Sequence, residues 1–584
     1  MCGIIGINSK YPIKKNLIKC LENLEYRGYD SVGIYLNQLI KTIGRVSDLK
    51  KKIPDSLDEK IGIGHSRWAT HGKVNDENAH PFISFNKKIV LVHNGIINNY
   101  LDLKEKLLNE GCLFNSDTDS EVVANLIDYY YSKKKNTLEA LKLTLSEIKG
   151  TYALCFMNLN EDNIIYFAKK ESPLIIGLGN DFNFVVSDIN SSYFLTNKFI
   201  ILNDDEYGYI KNNEYKVYKT NELINKAIID IDIKDKGISK YNFEHFMIKE
   251  IYDEPKVLKK ILDTYTSNNK INISNNLIKD LKNSDEINII GCGTSYHAGL
   301  IGKYVIETLV NKKVNVYLAS EFSNITIKND GVYLFLSQSG ETIDLKLAYN
   351  LIENKDKIYT FTNVLTSSLA LLAKETFDLC SDIEIAVAST KAYISEVTLL
   401  IMLAYKMINK DQEFIDNIYK CINSINSTLL MKDTIYNLAF KIKDSSSLFF
   451  LGKGIDHYIN LESSLKLKEV SYIHSEAMFS GELKHGSIAL ISENTNVIGL
   501  ITNPRNTSSF LNNLKEVEAR KSNIYLVTTS NVNNKSDYII NCDNVLFSSI
   551  CVAPFFQLLS YYTAKLNNRD IDKPRNLAKS CTVE

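Results

Sequence analysis

The sequence predicts an α+β domain followed by two α/β domains with parallel sheets. Three observations predict it. Residues 1 to 217 carry short apolar runs broken by Gly, Asn and Asp. Beyond residue 241, strand-like runs alternate with helical patterns. That second region also repeats itself at an offset of roughly 160 residues. The 584 residues are enough for three or four packed units at about 100–200 residues each.

In the first region, Gly3–Ile7, Lys88–Val92, Thr151–Asn158, Ile164–Ala168 and Phe182–Ser187 read as strands of a largely antiparallel sheet. Helical patterns at Ile13–Leu24 and Ser120–Tyr131 interrupt them. This sets a first domain at 2–217. The charged, unpatterned stretch 218–241 is expected to be a linker. In the remainder, strand–helix alternation indicates βαβ units. Ile287–Gly293 resembles Leu448–Gly454, each a strand followed by Gly-x-Gly, and Ile358–Thr362 resembles Ile524–Thr528. The shared order argues for duplication, with domains at 242–425 and 426–570 and a tail at 571–584.

Composition excludes several function classes. With 68 basic and 69 acidic residues the net charge is −1, against a general affinity for nucleic acid, which needs a basic surplus. No apolar run approaches the roughly 20 residues of a membrane span, and the start lacks the basic region of a signal peptide. Ten scattered Cys without a CxxC pair indicate neither a zinc cluster nor a disulfide framework. A cytosolic enzyme without a metal or redox cofactor is expected.

Loss of Met1 would give Cys2 both a thiol and a free α-amine, a self-contained nucleophile and base. Alone, Cys2 reads as merely an exposed residue at a frayed end. Its company changes that. His65–Gly72 packs Arg67, the only Trp (Trp68) and two His into eight residues. An Arg fork suits capture of an α-carboxylate, and Trp68 could gate or wall a pocket. Asn94 and Gly95 follow a strand and can form an oxyanion hole. Asp117–Glu121 offers a carboxylate for an ammonium group and also reads as a helix N-cap cluster. A thiol, oxyanion donors and clamps for both charges describe cleavage of an amino-acid side-chain amide, with glutamine the obvious candidate.

Cys2-Gly3-Ile4-Ile5-Gly6, Leu24–Ser31, Arg67–Gly72 and His93-Asn94-Gly95 together resemble the glutaminase domain of amidotransferases with N-terminal nucleophiles. Tyr26-Arg27-Gly28-Tyr29-Asp30-Ser31 points to the family of glutamine–fructose-6-phosphate aminotransferases (isomerizing). The resemblance implies that Arg67, Thr70, His71 and Asp119 hold glutamine, that Asn94 and Gly95 form the oxyanion hole, and that Trp68 gates ammonia.

The second region lacks a dinucleotide fingerprint, since Tyr296 stands where a third Gly would be, and it has no phosphate-binding GxxxxGK[ST] loop. Ser337-Gln338-Ser339-Gly340-Glu341-Thr342 follows the apolar run Val332–Leu336. Hydroxyls, backbone N–H groups and a helix N-terminus there can bind a phosphomonoester; a Ser-rich turn with a capping hydroxyl is the simpler alternative. With Cys292–Ser295 and Glu384–Lys391, these residues resemble sugar isomerase domains. That resemblance implies sugar-phosphate binding by Thr294, Ser295, Ser337, Gln338, Ser339 and Thr342, and sugar contacts from Val387, Ser389 and Ala578.

Lys466 and Glu469 lie three apart on a predicted helix, hence on one face, where a surface ion pair is the ordinary outcome. The resemblance implies more: Glu469 as the base moving a proton between C1 and C2, Lys466 assisting at the sugar hydroxyls, and His485 opening the ring from a neighbouring subunit of a homodimer. Asp572–Glu584 resembles the family's ending, with Lys579 forming a Schiff base to the open-chain ketose. Such a lysine must lose its proton, so burial or nearby positive charge is expected to lower its pKa. The implied partners are L-glutamine and fructose 6-phosphate. Cys581, Ser487 and Glu254 depart from the family pattern without removing an assigned group. Two rivals are an amidotransferase using phosphoribosyl pyrophosphate, whose Asp-bearing loop is not found, and a non-catalytic phosphosugar sensor, which would need no Cys2, Glu469 or Lys579.

Overall fold

The structure is a computed structural model that describes residues 2–68, 73–230, 240, 242–327, 331–532 and 536–579. Thr70, His71 and Cys581 therefore lie outside the described residues. The described chain forms two compact units, one running to residue 230 and the other from 240 to 579.

The first unit holds an eight-stranded and a seven-stranded sheet, both antiparallel. Gly3–Ser9 lies between Ile61–Arg67 and Phe182–Val186 in one sheet, and Gly150–Asn158 lies between Ile89–Ile97 and Ile165–Lys170 in the other. Side-chain alternation explains the layering. Ile4, Val90, Val92, Ala153 and Phe167 meet between the sheets. Ile5 and Ile7 point the other way, under the helix Lys14–Leu24, while Ile89 and Leu91 pack beneath Asp119–Lys134 and Thr137–Glu147. Helix, sheet, sheet, helix is the result. Gly6 permits the close approach of the sheets, since a Cβ there would sit 2.6 Å from Cys155 Sγ.

The linker expected at 218–241 does not hold for 218–230. Tyr215–Lys219 and Glu222–Ile224 form an edge hairpin of the seven-stranded sheet, and Ile229–Asp230 pairs with Lys198–Phe199 in the other. Glu222–Ile224 and Ile229–Asp230 are only three and two residues long, too short for alternation to mark a strand in sequence.

The second unit contains two parallel five-stranded sheets. Taken in chain order, both have the strand order second, first, third, fourth, fifth, as duplication predicts. Each opening strand, Glu286–Gly291 or Ser447–Gly452, is followed two residues on by a glycine at positive φ, Gly293 (φ +52°) or Gly454 (φ +63°), which caps a 17-residue helix. Ile287, Ile289, Leu448 and Phe450 all enter one core shared by both halves. The boundary expected at 425/426 falls inside the helix Asp411–Leu429, because that helix fills the shared core rather than joining separate domains. The tail docks on the same body: Asp572 caps the helix Phe246–Tyr265 by accepting from Phe246 N and Met247 N at 2.9 and 3.0 Å.

One segment, Val545–Leu566, is long and apolar enough to cross a membrane by length and composition, contrary to the expectation of no such run. Its most apolar 18-residue stretch is 83% buried within the protein, and the helix packs against Ile455–Ser471, Asp411–Leu429 and Lys432–Ile442, which identifies it as a core helix.

Candidate functional site

In the first unit, four elements converge on Cys2. The residue immediately precedes the strand Gly3–Ser9. Its sulfur accepts from Trp68 N at 3.2 Å and lies 3.4 Å from Trp68 O. Asn94 Nδ2 donates to the Cys2 carbonyl at 2.9 Å and to Ser187 Oγ at 3.0 Å. Arg27 Nε donates to the same carbonyl at 3.2 Å and pairs with Asp188 at 3.6 Å. Burial pushes the Cys2 thiol up, opposed by the positive N-terminus, the Trp68 N–H, Arg67 and Arg27. Gly95 has φ +137°, and a Cβ there would lie 2.0 Å from Thr151 O, so only glycine fits.

Arg67 is 3% exposed, and its charge faces Cys2, Asp30 and Asp119. Asp119 is the first residue of its helix, capped by Thr118, whose hydroxyl accepts from Glu121 N. Its carboxylate accepts from Ile97 N at 2.8 Å. Both sequence readings of this segment are thus partly realised: it caps a helix and places a buried carboxylate in the field of Arg67. Trp68 stands edge-on to Tyr29 with centroids 5.7 Å apart.

His65, unassigned in the sequence reading, sits behind Asn94. Its Nε2 is 2.9 Å from Asn94 Oδ1 and 3.1 Å from His93 O. Both partners are carbonyl oxygens, so Nε2 must carry the proton. That fixes the Asn94 amide with Nδ2 towards Cys2. Burial pushes His65 down to about 3, so the ring stays neutral. The signal was available in the His65–Gly72 motif, but its geometry was not.

In the second unit, a cluster of lysines and carboxylates forms where segments remote in sequence meet. Lys579 Nζ is 2.5 Å from Glu384 Oε2 and 2.8 Å from Ala386 O. The same carboxylate accepts from Ser389 Oγ at 2.8 Å and Thr390 N at 2.9 Å. Burial raises the Glu384 carboxyl, but Lys579, followed by Lys391 and the Thr390 N–H, outweighs it and holds the group at about 2. Of the two expectations for Lys579, burial is what the structure shows, its side chain being 5% exposed, while its contacting neighbour is an anion rather than a cation.

Lys466 is fully enclosed, 2.5 Å from Glu469, 3.4 Å from Glu462 and 3.1 Å from Thr294 Oγ1. It is no surface pair. Burial lowers the Lys466 ammonium, yet Glu462 and Glu469 together hold it above the ordinary lysine range. Burial raises Glu469, opposed by Lys466. Thr294 Oγ1 donates onward to Glu462 at 3.1 Å, whose other oxygen is 2.8 Å from His297 Nδ1.

The turn after Val332–Leu336 places Ser337 Oγ as acceptor for Gly340 N at 3.0 Å and 3.3 Å from Thr342 Oγ1, with Gly340 at φ +64°. Ser339 Oγ accepts from Glu341 N at 3.2 Å, the Gln338 carbonyl accepts from Asn363 N, and Thr342 is the N-cap of Ile343–Leu351. Ser295 stands in the first turn of Thr294–Val310. Val387 N donates to Asp572 O at 2.9 Å, tying the tail that carries Ala578 and Lys579 to the Glu384–Lys391 segment. His485 is exposed on the short turn Glu482–His485, and among the described residues no hydrogen bond links it to Lys466, Glu469 or Lys579. Ser487 begins the next such turn. Glu254 is buried, and burial pushes its carboxyl well up. Sequence reasoning missed Glu384 and Glu396, whose partners Lys579 and Ser295 lie 195 and 101 positions away, and it missed Glu462, which lies four residues from Lys466 but whose contacts with Thr294 and His297 are remote in sequence.

A family model described as a glutamine amidotransferase domain matches residues 1–170, and one described as a SIS domain matches residues 280–406 and 441–564. A glutamine–fructose-6-phosphate aminotransferase [isomerizing] of Bacillus spizizenii is 38% identical over 604 residues, covering 100% of both chains. One from Caldanaerobacter subterraneus is 39% identical over 616 residues, again covering both in full. Among solved structures, the C-terminal domain of glucosamine-fructose-6-phosphate aminotransferase from Francisella tularensis matches with a TM-score of 0.53 and 28% identity, covering 57% of this chain and 100% of that one. With an amidotransferase domain, two SIS domains and full-length relatives at this identity, the chain belongs to the family of glutamine–fructose-6-phosphate aminotransferases [isomerizing].

Proposed function

We propose that the chain converts L-glutamine and D-fructose 6-phosphate into D-glucosamine 6-phosphate and L-glutamate. One observation carries the reading: a single chain holds both a thiol flanked by Asn94 and Arg67 and a buried lysine–carboxylate cluster on SIS domains.

After loss of Met1, the Cys2 α-amine, with a reference pKa of about 7.7–8.0, takes the thiol proton. The thiolate attacks the glutamine side-chain amide, ammonia leaves, and water cleaves the thioester to glutamate. Arg67 receives the α-carboxylate and Asp119 the α-ammonium, with Thr70 and His71 completing the site. The Asn94 amide and the Gly95 N–H stabilise the oxyanion. Trp68, already touching the sulfur through its main chain, gates the ammonia.

On the sugar side, Thr294, Ser295, Ser337, Gln338, Ser339 and Thr342 bind the phosphate through hydroxyls, amides and helix N-termini. Val387, Ser389 and Ala578 contact the sugar. Lys579 gives up its proton, Glu384 being the carboxylate in contact, and forms an imine at C2 with loss of water. Ammonia displaces the lysine, and Glu469 moves a proton between C1 and C2 while Lys466 holds the sugar hydroxyls. His485 opens the ring from a second copy of the chain; its exposed position, unconnected to the cluster of its own chain, supports a homodimer.

The test is incubation with glutamine and fructose 6-phosphate, with mass detection of hexosamine phosphate. Product is expected, and Cys2→Ala should abolish the glutamine-driven reaction. No product from folded protein with a free N-terminal Cys2 would overturn the assignment.

A further inference from the structure

Glu396 is absent from the mechanism above, yet it touches it. It lies on the helix Lys391–Met407, 1% exposed. Its Oε1 is 2.8 Å from Ser295 Oγ, and its Oε2 is buried without a hydrogen-bond partner. No cation contacts it among the described residues. Charges that reach it are Glu384 and Glu462, both repulsive, and Lys579. Tyr393 faces it from its own helix. The packed elements add His297, Glu250 and Glu254, and Lys466 beside Glu462. An ionised carboxyl so placed would be uncompensated.

A serine hydroxyl has one proton to donate. If Glu396 is ionised, Ser295 must give that proton to it and turn a lone pair towards an incoming phosphate. If Glu396 is a carboxylic acid, it donates to Ser295 Oγ, and the serine proton is free to point outward. We propose that Glu396 is a positioning residue for the substrate phosphate: held as the neutral acid, it aims the Ser295 hydroxyl at the phosphate, and phosphosugar binds with the proton on Glu396. This rests on the assignment of Ser295 to phosphate binding.

Burial pushes the Glu396 carboxyl up to about 8, opposed by the Ser295 hydrogen bond and reinforced by Glu384 and Glu462. Below that pH the binding-competent form dominates; at pH 9 about one-tenth remains, so affinity should fall about tenfold. A phosphomonoester, with its second pKa near 6, is already about nine-tenths dianionic at pH 7 and more so above, so its own titration adds little. Glu250, also near 8, titrates in the same window, so the variant rather than the slope alone decides.

The experiment is calorimetric titration with glucitol 6-phosphate, which has no carbonyl and cannot form an imine with Lys579. It is run at pH 7 and pH 9, in buffers of different ionisation enthalpy. The unaltered protein should bind about tenfold more weakly at pH 9 and take up close to one proton there. Glu396→Gln, whose amide donates to Ser295 at every pH, should bind equally at both pH values with no proton uptake. Glu396→Leu should bind weakly at both. A pH dependence and proton uptake that persist in Glu396→Gln overturn the role of Glu396. Ser295→Ala separates the two readings: unchanged affinity in that variant overturns the phosphate placement itself, and with it this proposal.

Discussion

The two SIS repeats share strand order and the glycine that opens the first helix, yet they carry different side chains at matching positions. In the first repeat, Ser295 stands two residues after Gly293, and Ser337 directly follows the third strand. Their counterparts in the second are Asp456, two after Gly454, and Thr502. There the Asp456 carboxylate accepts from Thr502 N at 3.1 Å and from Thr502 Oγ1 at 2.5 Å. The second repeat thus occupies this position with an internal carboxylate, while the first keeps hydroxyls there. The opening helices differ in the opposite sense. The second carries Glu462, Lys466 and Glu469 on one face, where the first has Ile301, Val305 and Thr308. The same scaffold therefore offers matching positions, and side chains alone distinguish them; under the proposed function the first repeat would take the phosphate and the second would do the proton chemistry.

The sharpest way to break this comparison is at the helix faces. Glu469→Gln should lower kcat for hexosamine phosphate by about 10²–10⁴-fold, while glutamine hydrolysis continues. Thr308→Ala, the matching change in the first repeat, should leave both activities within about twofold, since a surface substitution away from the site costs little. Equal losses in the two variants would erase the proposed division.

Next in size is the turn after the third strand. Ser337→Ala removes a donor to a charged phosphate and should raise KM for fructose 6-phosphate about 10–100-fold with little change in kcat. Thr502→Ala should leave that KM unchanged and instead lower the melting temperature, because Asp456 loses two-point capture by Thr502. A KM effect from Thr502→Ala would mean that the second pocket is also used by substrate.

The smallest effect concerns pH. Burial raises Asp456 to about 7 from its ordinary 3.8. A carboxyl that binds its proton more tightly when folded contributes stability that is full below about pH 4 and is lost as pH rises through about 7. Asp456→Asn removes this contribution. Melting temperatures between pH 5 and pH 8 should then fall less steeply in the variant, by about 2 °C. Other raised carboxyls, Glu250 and Glu396 among them, titrate with the same sign, so the slope shrinks without vanishing. An unchanged slope would show that Asp456 is already ionised or exposed in the folded protein.

Much of this was legible in advance. Strands buried on both faces, such as Gly3–Ser9 and Val332–Leu336, announce themselves as apolar runs. The repeat announces itself through glycines that left-handed backbone requires. The glutaminase motif lies within short stretches, so Cys2, Arg67 and Asn94 could be named from sequence. The short edge strands at 222–230 could not, because their only warrant is pairing with strands already placed. Nor could the single core shared by the two repeats, which moves the helix Asp411–Leu429 from a boundary to the interior.

The sequence by itself determined most of the elements, where the duplication lies and which side chains are candidates for nucleophilic and basic chemistry, because those follow from local periodicity and residue type. Only the tertiary structure decided their company. Lys579 meets Glu384 across 195 positions and Lys466 meets Thr294 across 172. Whether a lysine faces a carboxylate or a cation, and whether a buried acid finds a counter-charge, depends on distances and dielectric surroundings that exist only once the remote segments have packed.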